Sequence, residues 1–218
     1  MKKQKIVSIV GAGVIGAGWA ARMLASGLIV KAYDPSENAR KQLLLNTRTA
    51  FKSLRKLGVN KKAKLSNLKI YSNLKDSLAA TSFVQENAPE NENLKKKLLK
   101  EIDRLLPKNI IIASSSSGLL PSRIQSLCKH PERVCIGHPF NPVYLLPLVE
   151  LVSGKKTRKK TINEAKKFYE EIGMKPLVVK KEIEGYISDR LQEALWREAL
   201  HIIKAVSYTH LRAHETQT

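Results

Sequence analysis

The chain has 218 residues, of which 43% are hydrophobic and 27% charged, and its formal net charge is +20 at pH 7. That is the profile of a globular chain long enough for one α/β domain and part of a second. No apolar run approaches the ~20 residues of a membrane span, and the run Ile6 to Val10 is too short for a signal peptide, so a cytoplasmic protein with no membrane partner is expected.

In chain order, "QKIVSIV" is a β-branched apolar run that stops at Gly11, as a buried parallel strand would. "VIGAGWAARMLASG" reads as a helix of small residues closed by Gly27. "LIVKAYD" is the next strand. Ser36 then caps a long helix that Gly58 closes, and "VNKKAKLSN" is a basic linker. "LKIYSN", "SFVQENA" and "NIIIASSS" read as further strands. A short helix at "LKDSLAA" separates the first two, and "ENENLKKKLLKEIDRLLP" is the helix before the third, stopped by Pro107. After "PSRIQSLC" come the strands "RVCIGH" and "LVELVSG", the helix "TINEAKKFYEEIG", the strand "KPLVVKK" and the long helix "EGYISDRLQEALWREALHIIKAV". This alternation predicts an α/β fold with a doubly wound, mostly parallel sheet. The last helix is apolar around more of its circumference than one face, so it expects protein on more than one side.

The net charge invites a nucleic-acid reading. The lysines, however, alternate with apolar residues on helical faces, and no aromatic residues interleave with them as a single-strand binder requires. No specific nucleic-acid partner is expected. Cys128 and Cys135 make no disulfide framework. With His130 and His138 they form only a loose cluster without a close pair, so no metal site is expected.

"GAGVIGAG" supplies Gly11, Gly13 and Gly16 in G-x-G-x-x-G spacing, after a strand and at the start of a helix. Asp34 ends the next strand, and that context makes the motif a dinucleotide-binding fingerprint. Gly11 permits the tight turn, Gly13 lets the backbone approach a pyrophosphate, and Gly16 lets the helix pack close to the strand. The phosphates then meet free N–H groups of the first turn, around Val14 and Ile15. Asp34 accepts from the adenosine ribose and repels a 2′-phosphate, and Pro35 stands where an arginine would serve NADP. NAD is therefore the expected cofactor.

The chain resembles the 3-hydroxyacyl-CoA dehydrogenase superfamily, with its Rossmann-type domain, over about residues 4–205. The resemblance is carried by the fingerprint, "VQENAPENENLKKKLL", "ASSSSGL", "GHPFNPVYLLPLVELV" and "EGYISDRLQ", in the family's order. Within it, "HPFNPVYLLPLVEL" and "DRLQEALWREALH" are most similar to the L-carnitine 3-dehydrogenase branch, with the gulonate 3-dehydrogenase (lambda-crystallin) relatives next. The acyl-CoA branch tends to carry a second phenylalanine after the histidine, where this chain has Pro139. The resemblance implies that His138 is the catalytic base, Glu150 its carboxylate partner, and Ser117 a catalytic and substrate-contacting hydroxyl. It implies that Glu90 lies on the nicotinamide side of the cofactor site and that Asn141 and Asp189 face substrate. Asp189 stands where the family tends to carry asparagine.

The implied reaction is NAD-dependent oxidation of a 3-hydroxy group, with L-carnitine as substrate. A 3-hydroxyacyl-CoA is the alternative, served by a cationic site at Lys52, Arg55 and Lys56, or L-gulonate. A non-catalytic NAD-binding or structural protein is the alternative of another class. A histidine suits the base because its ordinary pKa of ~6.5 lies near working pH. A quaternary ammonium needs an aromatic face or a carboxylate, and Phe140, Tyr144, Tyr186 or Trp196 with Asp189 would supply them. The expected organisation is an NAD-binding domain over residues 1–180, then the start of a truncated helical C-terminal domain at 181–205, with a homodimer for the full-length protein. The tail "VSYTHLRAHETQT", residues 206–218, matches nothing in the family and resembles sequencing-adapter read-through, so it is read as an artefact.

Overall fold

A computed structural model of the chain describes residues 4–205; the tail at 206–218 lies outside the described residues. Eight strands form one sheet: β1 (Ile6–Val10), β2 (Ile29–Tyr33), β3 (Leu68–Tyr71), β4 (Phe83–Glu86), β5 (Ile111–Ser114), β6 (Val134–Pro139), β7 (Leu148–Ser153) and β8 (Lys175–Val179). Their order is β3-β2-β1-β4-β5-β6-β7-β8. Among the described residues, seven α-helices accompany them: α1 (Val14–Ala25), α2 (Glu37–Leu57), α3 (Leu74–Leu78), α4 (Glu92–Leu105), α5 (Pro121–Ile124), α6 (Lys159–Glu171) and α7 (Ser188–Ala205). Among the described residues no helix is long and apolar enough to cross a membrane.

The period-two alternation of the strands feeds a core on each face of the sheet. Phe83, Ile111 and Ala113 point to the side of α1, α2 and α6, where Trp19, Met23, Leu43 and Tyr169 are buried. Val84, Ile112, Val134 and Ile136 point to the other side, against Leu74, Leu99, Ile102 and Ile124. Burial on both faces explains why the central strands read as continuous apolar runs. The helix ends follow local chemistry. The Ser36 side chain accepts from Ala39 N–H at the start of α2, and Asn91 accepts from Leu94 N–H at the start of α4.

The sheet winds outward from β1 through β2 to β3, and in the other direction from β4, so the loops after β1 and β4 diverge at the C-terminal edge. All neighbouring pairs are parallel except β6 and β7, which run antiparallel. Loop 140–147 is too short for the crossover of about a dozen residues that a parallel partner requires. That local reversal puts His138 directly opposite Glu150 in the ladder.

The last helix is shorter than its apolar pattern predicts. Tyr186 has φ 46°, outside helical geometry, so α7 begins only at Ser188. None of the α7 residues is buried, and Leu191, Leu195, Trp196, Leu200, Ile202 and Ile203 are exposed.

Candidate active site

The loop between β1 and α1 has the shape of a phosphate cradle. Gly11 has φ +100°, and a Cβ there would lie 2.6 Å from the Asn87 backbone. At Gly16 a Cβ would lie 2.1 Å from Gly11 O, so only glycine lets α1 come this close to the loop. Gly13 is the N-cap, and a Cβ there would meet nothing within 4 Å, so this backbone faces open space. The first intrahelical bond runs from Ala17 N–H to Gly13 O, which leaves the N–H groups of Val14, Ile15 and Gly16 without helical acceptors. The first turn holds no acidic side chain, and Val14 is 64% exposed. These groups fit a diphosphate, whose negative charge the helix N-terminus favours.

Asp34 closes the cradle on the β2 side. Its Oδ2 accepts from Ala12 N–H at 2.8 Å and its Oδ1 from Ser36 N–H at 2.9 Å. A carboxylate has about four acceptor positions, so both oxygens keep capacity for ribose hydroxyls. The nearby Arg40 guanidinium is occupied by the Asp34 and Pro35 carbonyls at 2.7 and 2.9 Å.

Near the end of β6, His138 is 7% exposed, and Glu150 opposite it on β7 is fully buried. His138 Nδ1 donates to Glu150 Oε2 at 2.9 Å. The same oxygen accepts from the Ser188 hydroxyl at 2.6 Å, and Oε1 accepts from the Ile187 and Ser188 N–H groups at 3.1 Å each. Glu150 thus ties β6 to the start of α7. Burial pushes its carboxyl pKa up. The bonds from His138, the Ser188 hydroxyl and the two N–H groups outweigh that and hold it below the usual carboxylate value. With Nδ1 committed, Nε2 is the free nitrogen of His138. Phe140 and Tyr186 flank the imidazole at 5.6 and 5.7 Å between ring centres.

The four serines at 114–117 divide the work. Ser114 donates to buried Glu86, and Ser116 donates to Glu90. Ser115 bonds Trp19 Nε1, Gln85 and Asn87. Ser117 contributes its N–H to Glu90 Oε1 at 3.1 Å, and its hydroxyl has no partner among the described residues. Glu90 therefore anchors the serine loop, accepting also from Gly118 N–H at 3.2 Å. Burial raises its pKa, but the bonds from Ser116, Gly118 and Leu119 and the charge of Lys95 hold it below the usual value.

Sequence reasoning missed what stands behind Glu90. Glu86 and Lys95 form a buried ion pair at 2.8 Å, and Lys95 also donates to Ala88 O at 2.9 Å and lies 3.6 Å from Glu90. Lys95 sits in the run "LKKKLLK", where composition does not separate the buried lysine from its exposed neighbours. The Ser188 hydroxyl was missed as well; its position beside "EGYI" is its only signal. Asn141 is exposed in the loop after β6. Asp189 lies in the first turn of α7, within electrostatic reach of His138, Glu150 and Glu90. Lys52 and Arg55 line a cavity of about 710 Å³ with Arg48, Lys61 and Lys64, between α2 and the following loop. Burial pushes the Cys128 and Cys135 thiols up to about 12.

A glycine cradle at a topological switch point, with a buried histidine–carboxylate pair at the same edge of the sheet, marks a dinucleotide-binding Rossmann-type domain. The chain belongs to the 3-hydroxyacyl-CoA dehydrogenase family, whose NAD binding domain matches residues 6–183. It is 49% identical over 199 residues to an L-carnitine dehydrogenase of Bacillus cereus, covering 91% of this chain and 61% of that protein. An L-carnitine dehydrogenase of Oceanobacillus iheyensis is 46% identical over 199 residues, with 91% and 65% covered. The chain therefore spans less than two thirds of these curated relatives. Among solved structures, FHMPC 5-dehydrogenase, an NAD+ dependent dismutase, superposes with a TM-score of 0.87 at 29% identity, covering 94% of this chain and 66% of that one. The 3-hydroxybutyryl-CoA dehydrogenase of Escherichia coli gives 0.84 at 26% identity, covering 93% and 43%.

Proposed function

We propose that this chain is the NAD-binding, base-bearing part of an enzyme that oxidises L-carnitine at carbon 3 to 3-dehydrocarnitine. The observation that carries the chemistry is the His138–Glu150 pair, held at 2.9 Å at the edge of the sheet where β1 runs into the glycine cradle. The relatives named L-carnitine dehydrogenase, at 46–49% identity, support the substrate. Gly11, Gly13, Val14, Ile15, Gly16 and Asp34 would hold NAD, which would supply the acceptor for the hydride that leaves carbon 3.

His138 Nε2 takes the proton of the 3-hydroxyl. Glu150 keeps the other proton on Nδ1 and stabilises the imidazolium that results. The free Ser117 hydroxyl donates to the substrate oxygen as it becomes a carbonyl. Glu90 positions that serine and borders the nicotinamide end of the cleft. Asn141 and Asp189 contribute to the substrate side.

One observation favours a second reading. The cavity lined by Arg48, Lys52, Arg55, Lys61 and Lys64 suits the phosphates of a CoA thioester. L-gulonate is a third candidate substrate, and an NAD-binding protein without turnover is the alternative of another class. We assign residues 1–180 to the NAD-binding domain and 181–205 to the start of a helical domain. The exposed apolar residues of α7 support a homodimer of the full-length protein, for which a cytoplasmic location is proposed.

The test is NADH formation by this chain joined to the C-terminal part of an L-carnitine dehydrogenase, assayed with L-carnitine, 3-hydroxybutyryl-CoA and L-gulonate. Turnover of L-carnitine alone supports the proposal. Turnover of only the CoA substrate favours the second reading, and NAD binding without turnover of any substrate refutes the enzyme.

A further inference from the structure

Gln85 sits in β4, which is buried throughout and lies between β1 and β5, where an apolar side chain would be expected. A buried amide costs free energy unless its polar groups are bonded. Those of Gln85 are: Nε2 donates to Ser115 Oγ at 2.8 Å and to Gly137 O at 3.2 Å, and Oε1 accepts from the Tyr169 hydroxyl at 2.5 Å. The route to β6 crosses β5 at Ala113, the ladder partner of Gln85, where the side chain is small. Gly137 is the residue before His138. A Cβ at 137 would lie 1.9 Å from the Tyr169 hydroxyl, so glycine there makes room for this contact.

The other end of the network reaches the cofactor cradle. Ser115 Oγ accepts from Trp19 Nε1 of α1 at 3.1 Å and donates to Asn87 Oδ1 at 2.7 Å. Asn87 N–H donates to Val10 O at 2.6 Å, and the Asn87 backbone is what a Cβ at Gly11 would strike. The Trp19 and Tyr169 rings, both fully buried, lie 5.3 Å apart between centres. A continuous run of bonded groups thus leads from the wall of the cradle through Asn87, Ser115 and Gln85 to the peptide before His138. Apolar packing tolerates small slips, whereas a fully satisfied buried polar network holds one arrangement.

We propose that Gln85 is a positioning residue, which with Ser115 sets the His138 end of β6 against the cofactor cradle. The inference rests on the proposed dehydrogenase reading and adds to it residues that act only through others. Proton removal and hydride departure occur at one substrate carbon and its oxygen, so the base and the cofactor must be held in register. The cradle follows β1 and the base ends β6, with β4 and β5 between them. Gln85 spans that gap from β4, and Ser115 meets it from the end of β5. A displacement of about 1 Å at such a site is worth on the order of 10²-fold in rate.

Nitrogen-15 NMR of the NAD-loaded full chain, and kinetics of the chain joined to a relative's C-terminal part, test this together. Ser115→Ala leaves Gln85 in place, yet the backbone amide signal of His138 is expected to move, because the change passes through Gln85 to the Gly137 carbonyl. An unmoved signal overturns the relay. In the joined enzyme Gln85→Met is expected to lower kcat on the order of 10²-fold, with the KM for NAD and for L-carnitine held. The same change strands the buried Tyr169 hydroxyl and lowers Tm. Adding Tyr169→Phe removes the stranded group and is expected to restore most of the Tm but not kcat. A residue that merely stabilises the core would recover both; that result, or a wild-type kcat in Gln85→Met, overturns the proposal. Should Gln85→Met fail to fold, Ser115→Ala carries the kinetic test, where a fall in kcat at held KM supports the relay and an unchanged kcat overturns it. If the His138 signal moves in Ser115→Ala while the wild type oxidises no 3-hydroxy substrate, the relay stands and the dehydrogenase reading fails. If L-carnitine is oxidised and neither the signal nor kcat responds, the reverse holds.

Discussion

Replacing Glu150 by glutamine removes one charge and almost no volume, at a side chain that is fully buried. Four donors converge on the native carboxylate: His138 Nδ1, the Ser188 hydroxyl, and the Ile187 and Ser188 N–H groups. A glutamine has only one acceptor oxygen. With that oxygen at the Oε1 position the two backbone bonds survive, and the amide NH₂ faces Ser188 Oγ and His138 Nδ1. The hydroxyl rotates to accept. The imidazole must move its proton from Nδ1 to Nε2, which is the wrong tautomer for a base. The opposite amide orientation aims NH₂ at two backbone donors and is worse. A bond to a charged group is worth about 1.5–3 kcal/mol and a neutral one about 1, so the change in the two reoriented bonds costs roughly 2 kcal/mol of stability. General-base catalysis contributes on the order of 10²–10⁴-fold, and kcat is expected to fall by that factor with little change in KM. Nitrogen-15 NMR of the imidazole reads the tautomer in the chain itself. A Glu150→Gln variant whose His138 still carries its proton on Nδ1, or whose kcat is unchanged, refutes the reasoning.

Gly16→Ala brings a methyl group to 2.1 Å from Gly11 O, so α1 must back away from the loop; fluorescence titration is expected to give an NAD Kd at least about tenfold higher, and an unchanged Kd would contradict the cradle. Lys95→Met strands the buried Glu86 carboxylate. Urea unfolding is expected to show a loss of about 3–5 kcal/mol, most of it recovered by adding Glu86→Gln; no recovery would mean the cost is packing rather than charge. Glu150 has a folded pKa below its unfolded value, so its contribution is complete above about 4.3 and fades as pH falls through the lower folded pKa. The stability gap between wild type and Glu150→Gln should therefore close below pH ~4; a gap that widens there would reverse the assigned sign.

The parts of this molecule that were legible in the sequence are those fixed by local rules. Strand–helix alternation, the Ser36 cap and the Gly58 stop delimit elements through contacts a few residues apart. The glycine fingerprint was readable because each glycine answers a steric demand within its own loop, and Gly16 against Gly11 is the sharpest case. His138 and Glu150, the proposed base and its partner, were singled out by the motif around them. What brings the two together is the antiparallel turn-back of β7, a long-range pairing that the strand–helix alternation alone does not specify. Lys95 and Ser188 were hidden for a related reason. Lys95 acquires its role from Glu86, nine residues back on β4, and Ser188, the first residue of α7, from Glu150, 38 residues away on β7. Glu90 illustrates the limit within a motif. Its sequence context points to the nicotinamide end, while its geometry assigns it the N–H groups of Ser117 and Gly118.

The central claim is that His138 and its surroundings take a proton from the 3-hydroxyl of L-carnitine while carbon 3 gives up a hydride. L-Carnitine deuterated at carbon 3 tests it most directly, with the chain joined to the C-terminal part of a relative and supplied with NAD. The account predicts deuterium in the reduced cofactor, formed in step with 3-dehydrocarnitine, and a loss of both on the order of 10²-fold or more in His138→Gln. Deuterium that remains on carnitine, or a His138→Gln variant that transfers it at the wild-type rate, would contradict the account.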